Sequence, residues 1–162
     1  VAGAGVFLNN EMDDFSAKPG MPNAYELIGS DANSIQPGKR PLSSMTPTIV
    51  LKNKKPFLVI GSLGGSTIIT TIMQVILNVV VFGMDIKEAV SSPRFHSQWL
   101  PDMIMTEPRG LSKDVIKTLV SRGHTLTPYR WGYIGEANGI LIGKNGFYGG
   151  GDTRGETSSA GY

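Results

Sequence analysis

A strand that runs through a glycine-rich loop into a helix with no polar face constrains this chain more than any other feature. Phe57-Leu58-Val59-Ile60 is a short run of strand formers. Gly61-Ser62-Leu63-Gly64-Gly65-Ser66 follows, and then Thr67–Phe82, where Ile68, Ile69, Ile72, Met73, Val75, Ile76, Val79 and Val80 cover nearly every face. A helix apolar all round must be enclosed rather than laid on a surface. Ser66 is its expected N-cap and Gly83 its expected stop. Thr70, Thr71, Gln74 and Asn78 interrupt the segment, which is also shorter than the ~20 apolar residues that cross a bilayer. The enclosure is therefore protein.

The remaining elements fit a layered arrangement. Gly5–Leu8 reads as a short strand, Val6-Phe7-Leu8. Thr48-Ile49-Val50-Leu51 pairs with Phe57–Ile60 as a hairpin across the polar turn Lys52–Pro56. Asp85 caps a short helix ending at Ser91, and Met103–Thr106 reads as a strand. Ser112 caps a helix over Lys113–Arg122, with Val115, Ile116, Leu119 and Val120 as its buried stripe. Gly139–Ile142 and Phe147–Tyr148 form a second hairpin around Lys144-Asn145-Gly146. Between Glu11 and Ser44 almost no apolar periodicity exists, and structureless stretches of that length are usually functional or disordered. Gly149-Gly150-Gly151 reads as a flexible turn, leading into a Gly/Ser-rich tail. Strands and helices in this order predict one α+β domain over residues 1–162, with helices packed on a mostly antiparallel sheet.

Composition narrows the function classes. A formal net charge of +2 over 162 residues, with no basic run beyond Lys54-Lys55, argues against nucleic acid as a partner. Zero cysteines exclude disulfides, thiolate metal sites and a thiol nucleophile, and two histidines are too few for a His-rich metal centre. Val1–Asn10 lacks the basic start and cleavage pattern of a targeting segment. No metal, cofactor or membrane span is expected.

Three motifs can carry chemistry. The loop at Gly64-Gly65-Ser66 puts backbone N–H groups at a helix start, where donors are unsatisfied and the dipole is positive. It lacks the lysine of a phosphate-binding P-loop and does not fit a G-x-S-x-G nucleophile elbow. Two readings stay open: an oxyanion hole and a tight strand-to-helix turn. Glu11, Asp13 and Asp14 form an acidic cluster that suits a cation such as an α-ammonium, or simply a solvated turn. Ser43 and Ser44, within Pro41–Pro47, can bind a carboxylate or satisfy turn backbone. His96 and His124 each read as structural.

These pieces, in this order, resemble the small subunit of the γ-glutamyltransferases (γ-glutamyl transpeptidases), which are N-terminal-nucleophile hydrolases with αββα layers. The resemblance rests on Leu8-Asn9-Asn10-Glu11-Met12-Asp13-Asp14-Phe15, Lys39-Arg40-Pro41-Leu42-Ser43-Ser44-Met45, Gly61–Ser66, Pro93–Asp102 and Ala160-Gly161-Tyr162. It implies that Glu11 and Asp14 hold the α-ammonium of a γ-glutamyl group. Ser43 and Ser44 would hold its α-carboxylate, helped by an arginine from another chain. Gly64 and Gly65 would supply the oxyanion-hole amides. Residues 19–30 would form a lid, with Tyr25 closing over the bound group.

The same resemblance implies a Thr nucleophile freed by autoprocessing, with its own α-amine as base. That Thr belongs to a stretch preceding Leu8 and is not among the 162 residues, so the chain alone is expected to be inactive. The expected partners are a large subunit cut from the same precursor, the missing N-terminal segment, and a γ-glutamyl substrate such as glutathione. The implied location is periplasmic or secreted. Leu63 and Thr67 stand where many members carry Pro and Arg, and Asp152-Thr153-Arg154 where Asp-Pro-Arg is usual. Two other readings are a related acylase for glutaryl-cephalosporin or poly-γ-glutamate, and an inert binding module of the same fold.

Overall fold

Alternation along β2 (Lys55–Leu63) organises the computed structural model of the protein, which describes residues 3–6 and 8–161. Leu58 and Ile60 are buried on one face, while Val59 between them is exposed. β1 (Thr48–Lys52) pairs antiparallel with β2 through a two-residue turn. Asn53 and Lys54 sit there at φ 53° and 64°, the left-handed pair of a type I′ hairpin. The turn is thus tighter than the expected Lys52–Pro56; Pro56 pairs with Leu51, and a register shift between Val50 and Leu51 leaves Phe57 as the extra residue of a bulge.

β6 (Glu136–Gly143) lies on the other side of β2, and β7 (Gly146–Gly150) pairs with β6, giving an antiparallel sheet of order β1-β2-β6-β7. The second hairpin forms as expected, with its turn one residue earlier, at Lys144-Asn145. Gly149 and Gly150 belong to β7 and Gly151 is buried, which corrects the flexible turn expected there. Gly150 is required by packing: a Cβ on it would lie 2.8 Å from the Ile86 carbonyl oxygen.

α1 (Thr67–Val80) packs on this sheet through Ile68, Thr71, Ile72, Val75 and Val79. Most of its residues are β-branched and therefore weak helix formers. Packing against Leu58, Ile60 and Ala137 holds it helical. Enclosure is one-sided, since Ile69, Met73, Leu77 and Val80 are exposed. α2 (Ile86–Ser91) completes the core with Ile86, Ala89 and Val90, and the Asp85 carboxylate accepts from the Glu88 N–H at 2.8 Å as its cap.

β3 (Phe95–His96), β4 (Ile104–Thr106) and β5 (Leu126–Pro128) form a second sheet in which β4 and β5 run parallel. Before β5 lies α3 (Lys113–Ser121), none of whose residues is buried; Val115, Ile116 and Val120 are exposed. Its spacing marked an apolar face correctly and wrongly assigned it a cover. No helix among the described residues is long and apolar enough to cross a membrane.

The chain divides into two compact units, Val1–Ser44 and Met45–Tyr162. Among its described residues, the first contains two single-turn 3-10 helices, Glu11–Asp14 and Asp31–Asn33. Val6 and Leu8 are not in a strand, which corrects the one expected at Gly5–Leu8; Phe7 lies outside the described residues.

Candidate active site

In the first unit, polar side chains replace apolar periodicity as the organiser. Asn33 Nδ2 donates to the Asp14 carbonyl at 2.8 Å, and its Oδ1 accepts from the Leu42 N–H at 2.8 Å. One asparagine thus joins the acidic turn to the residue before Ser43-Ser44. Glu11 and Asp13 are exposed, whereas Asp14 is half-buried. Partial burial, and then the charges of Glu11 and Asp13, push the Asp14 carboxyl above its ordinary value. A cation bound there would offset the neighbouring negative charges and favour the ionised carboxylate. Of the serine pair, Ser43 is exposed and Ser44 half-buried.

Residues 19–30 are an ordered loop. The Gly20 N–H donates to the Gly29 carbonyl at 2.8 Å and closes its base. Asn23 Oδ1 accepts from the Tyr25 and Leu27 N–H groups at 2.9 and 3.0 Å, shaping its tip. This places the Tyr25 hydroxyl 2.9 Å from Asn10 Nδ2, one residue before Glu11. Sequence reading missed both organising asparagines. The signal for Asn23 was an Asx-turn residue just after Pro22; Asn33 left none.

In the second unit, β2 ends at Leu63 and α1 begins at Thr67, with Gly64 at φ 136° and Gly65 at φ 57° between them. The Gly64 and Gly65 carbonyls accept from the Thr67 and Ile68 N–H groups at 3.2 and 3.1 Å. Neither glycine N–H has an acceptor among the described residues. Ser66 is not the N-cap that its position suggested. It is already helical, at φ −59° and ψ −24°, and its hydroxyl donates to Gln98 Oε1 at 2.8 Å. A cavity of about 270 Å³ opens beside Gly64, walled by Leu63, Tyr129, Trp131, Tyr133 and Arg154. A larger hollow of about 830 Å³ lies on the face that carries Val59, Ile140 and Phe147.

His96 is structural, as expected. Its Nε2 lies 2.9 Å from Gln98 Oε1, an oxygen that can only accept, so Nε2 carries the proton and Nδ1, 2.7 Å away, faces the Thr70 hydroxyl. Burial lowers its pKa and so favours the neutral ring.

Beneath the loop lies a buried charge network that sequence reading missed. Arg94 Nη2 pairs with Asp152 Oδ2 at 2.7 Å, Arg154 Nη1 with Asp152 Oδ1 at 2.8 Å, and Arg154 Nη2 with Glu107 Oε2 at 2.5 Å. Arg94 Nη1 also donates to the Ile134 carbonyl at 2.8 Å, and Glu107 Oε1 accepts from the Ile134 N–H at 2.6 Å. Gly135, the next residue, packs against Gly64. Burial raises the Asp152 carboxyl, but the Ala137 N–H and the two guanidinium groups outweigh it and hold the group below its ordinary value.

The family model for gamma-glutamyltranspeptidase matches residues 1–162. The glutathione hydrolase proenzyme of Escherichia coli is 49% identical over 165 residues, covering 100% of this chain and 28% of its own length. Among solved structures, a mutant gamma-glutamyltranspeptidase of Helicobacter pylori superimposes with a TM-score of 0.86 at 54% identity, over 96% of this chain and 84% of that one. The Pseudomonas nitroreducens enzyme complexed with L-DON gives 0.88 at 42% identity, over 100% and 84%. The chain therefore spans under a third of the curated relative's length. A match along all 162 residues, together with the glycine loop and the acidic turn, places the chain in the gamma-glutamyltranspeptidase family.

Proposed function

We propose that this chain is the part of a γ-glutamyltransferase, or glutathione hydrolase, that binds the glutamyl group and stabilises the reaction's oxyanion. One observation carries the reading: two consecutive glycine amides with no acceptor among the described residues, at the start of a helix. The family supports the direction of the chemistry. A Thr hydroxyl, supplied by the remainder of the proenzyme, attacks the γ-carbonyl carbon, and the carbonyl oxygen becomes anionic. Gly64 and Gly65 donate to that oxygen. The amide C–N bond then breaks, the amine leaves with a proton, and a γ-glutamyl ester remains for water or an acceptor amine to release.

Glu11 and Asp14 bind the α-ammonium in this reading, Ser43 and Ser44 the α-carboxylate, and Tyr25 covers the group while it reacts. The chain works with a large subunit cut from the same precursor, and the assembled enzyme is periplasmic or secreted. The raised Asp14 carboxyl supports a cation role, because partial burial and then the like charges of Glu11 and Asp13 disfavour its ionised form, and an ammonium would favour it.

The test uses the processed enzyme and a chromogenic γ-glutamyl anilide. Asp14 has to be ionised to bind an ammonium, and its pKa is raised, so binding should fail at a pH above the range of an ordinary aspartate. KM is therefore expected to climb as pH falls through that raised value, and Asp14→Asn should raise KM and flatten the profile. Glutaryl anilides lack the ammonium and should be insensitive to Asp14→Asn. Equal loss on both substrates would refute the role of Asp14, and no anilide release by processed enzyme would refute the activity.

A further inference from the structure

Thr67 opens α1 and is buried, with 2% of its surface exposed. Its hydroxyl donates to the Gly64 carbonyl oxygen at 2.8 Å, and its N–H donates to the same oxygen at 3.2 Å. A threonine early in a helix can turn its hydroxyl to a carbonyl three residues back, and here that carbonyl belongs to the glycine loop. The Gly64–Gly65 peptide is trans and planar. Its C=O and N–H therefore point in opposite directions. Holding the Gly64 oxygen at the helix start aims the Gly65 N–H away from the helix.

Such a restraint has work to do. Two adjacent glycines lack the Cβ atoms that restrict backbone rotation, so an unrestrained peptide between them can flip. Crowding adds to the hydroxyl's grip. A Cβ built on Gly64 would lie 2.5 Å from Thr67 Oγ1 and 3.0 Å from Gly135 Cα, so side chain, loop and neighbouring turn are in close contact.

We propose that Thr67 is a positioning residue whose hydroxyl locks the Gly64–Gly65 peptide, holding the Gly65 N–H ready as an oxyanion donor. The inference rests on the oxyanion-hole reading above. Preorganised donors stabilise a transition state because they do not need to reorient as charge develops. Removal of the lock should therefore lower kcat and leave ground-state binding nearly unchanged.

The experiment uses the assembled, processed enzyme, with rates normalised to the processed fraction. Thr67→Val keeps the shape and removes the donor, Thr67→Ser keeps the donor, and Thr67→Ala serves if valine impairs processing. The probes are a γ-glutamyl anilide, glutamate, and a glutamate analogue with a tetrahedral anionic phosphonate at the γ position. Wild-type enzyme should bind the phosphonate at least ~10-fold more tightly than glutamate. Thr67→Val should lose about 10-fold in kcat and in phosphonate affinity, with KM and glutamate affinity within about 2-fold, and Thr67→Ser should restore both losses. Tight phosphonate binding in wild type with an unaltered kcat in Thr67→Val would overturn the lock and leave the oxyanion hole standing. Phosphonate binding no tighter than glutamate in wild type would remove the oxyanion hole and the lock with it. Equal losses in kcat and KM, not rescued by serine, would make Thr67 a general packing residue and overturn the proposal.

Discussion

Replacing Asp152 with asparagine should cost about 3–5 kcal/mol of stability, the range for removing one partner from a buried ion pair. The side chains of Asp152, Glu107, Arg94 and Arg154 are 0%, 2%, 2% and 6% exposed, so solvent screening does not soften the loss. Asparagine fits the space but leaves two buried guanidinium groups facing the single carboxylate of Glu107. Since whole domains are stable by only about 5–15 kcal/mol, such a loss is a large share of the total. The wild-type network should also set the acid limit. The Asp152 carboxyl is held below its ordinary value in the folded state. Its contribution is therefore complete above the unfolded pKa, near 3.8, and disappears as pH falls through the lower folded value. Urea unfolding of the processed enzyme at neutral pH measures the difference. A loss below about 1 kcal/mol, typical of surface pairs, would show that the network is not a structural anchor.

Replacing Gly64 with alanine should lower kcat by about 100- to 1,000-fold, the cost of losing an oxyanion-hole donor. At φ 136° an L side chain is strained, and the added Cβ would meet Thr67 Oγ1 at 2.5 Å and Gly135 Cα at 3.0 Å. Thr67 is packed between α1 and the loop, and Gly135 is tied through Ile134 to Arg94 and Glu107. Neither can retreat without cost, so the Gly64–Gly65 peptide has to move and its amides lose their aim. The loop lies outside the apolar core of Leu58, Ile60, Ile72 and Val75, so the fold should survive with a local strain of about 1–3 kcal/mol. Steady-state kinetics on processed enzyme decides it. A kcat within about 3-fold of wild type would mean that these amides do not bear on the reaction.

Elements that depend on local pattern were legible in the sequence. β2, the glycine loop, α1, α2 with its Asp85 cap, and both hairpins were found, because alternation, helical spacing and turn residues announce themselves within a few positions. What depends on distant partners was not. Arg94, Glu107, Asp152 and Arg154 are spread over the second unit, and no spacing rule links them; Arg94 and Asp152 meet only when β6 and β7 close over α2. The same gap explains α3, where Val115, Ile116 and Val120 form a stripe whose cover no local rule can supply. Ser66 failed as a cap because its own backbone is already helical, which a capping residue's is not. The acidic turn and the serine pair were each visible in the sequence, while Asn33, which joins Asp14 to Leu42, was not.

The most direct test is a crystal structure of the processed enzyme with the γ-phosphonate analogue of glutamate bound. The expected result is one anionic oxygen about 3 Å from both the Gly64 and the Gly65 amide nitrogens. An oxygen held by other groups, with both glycine amides turned away from it, would contradict the assignment of this loop.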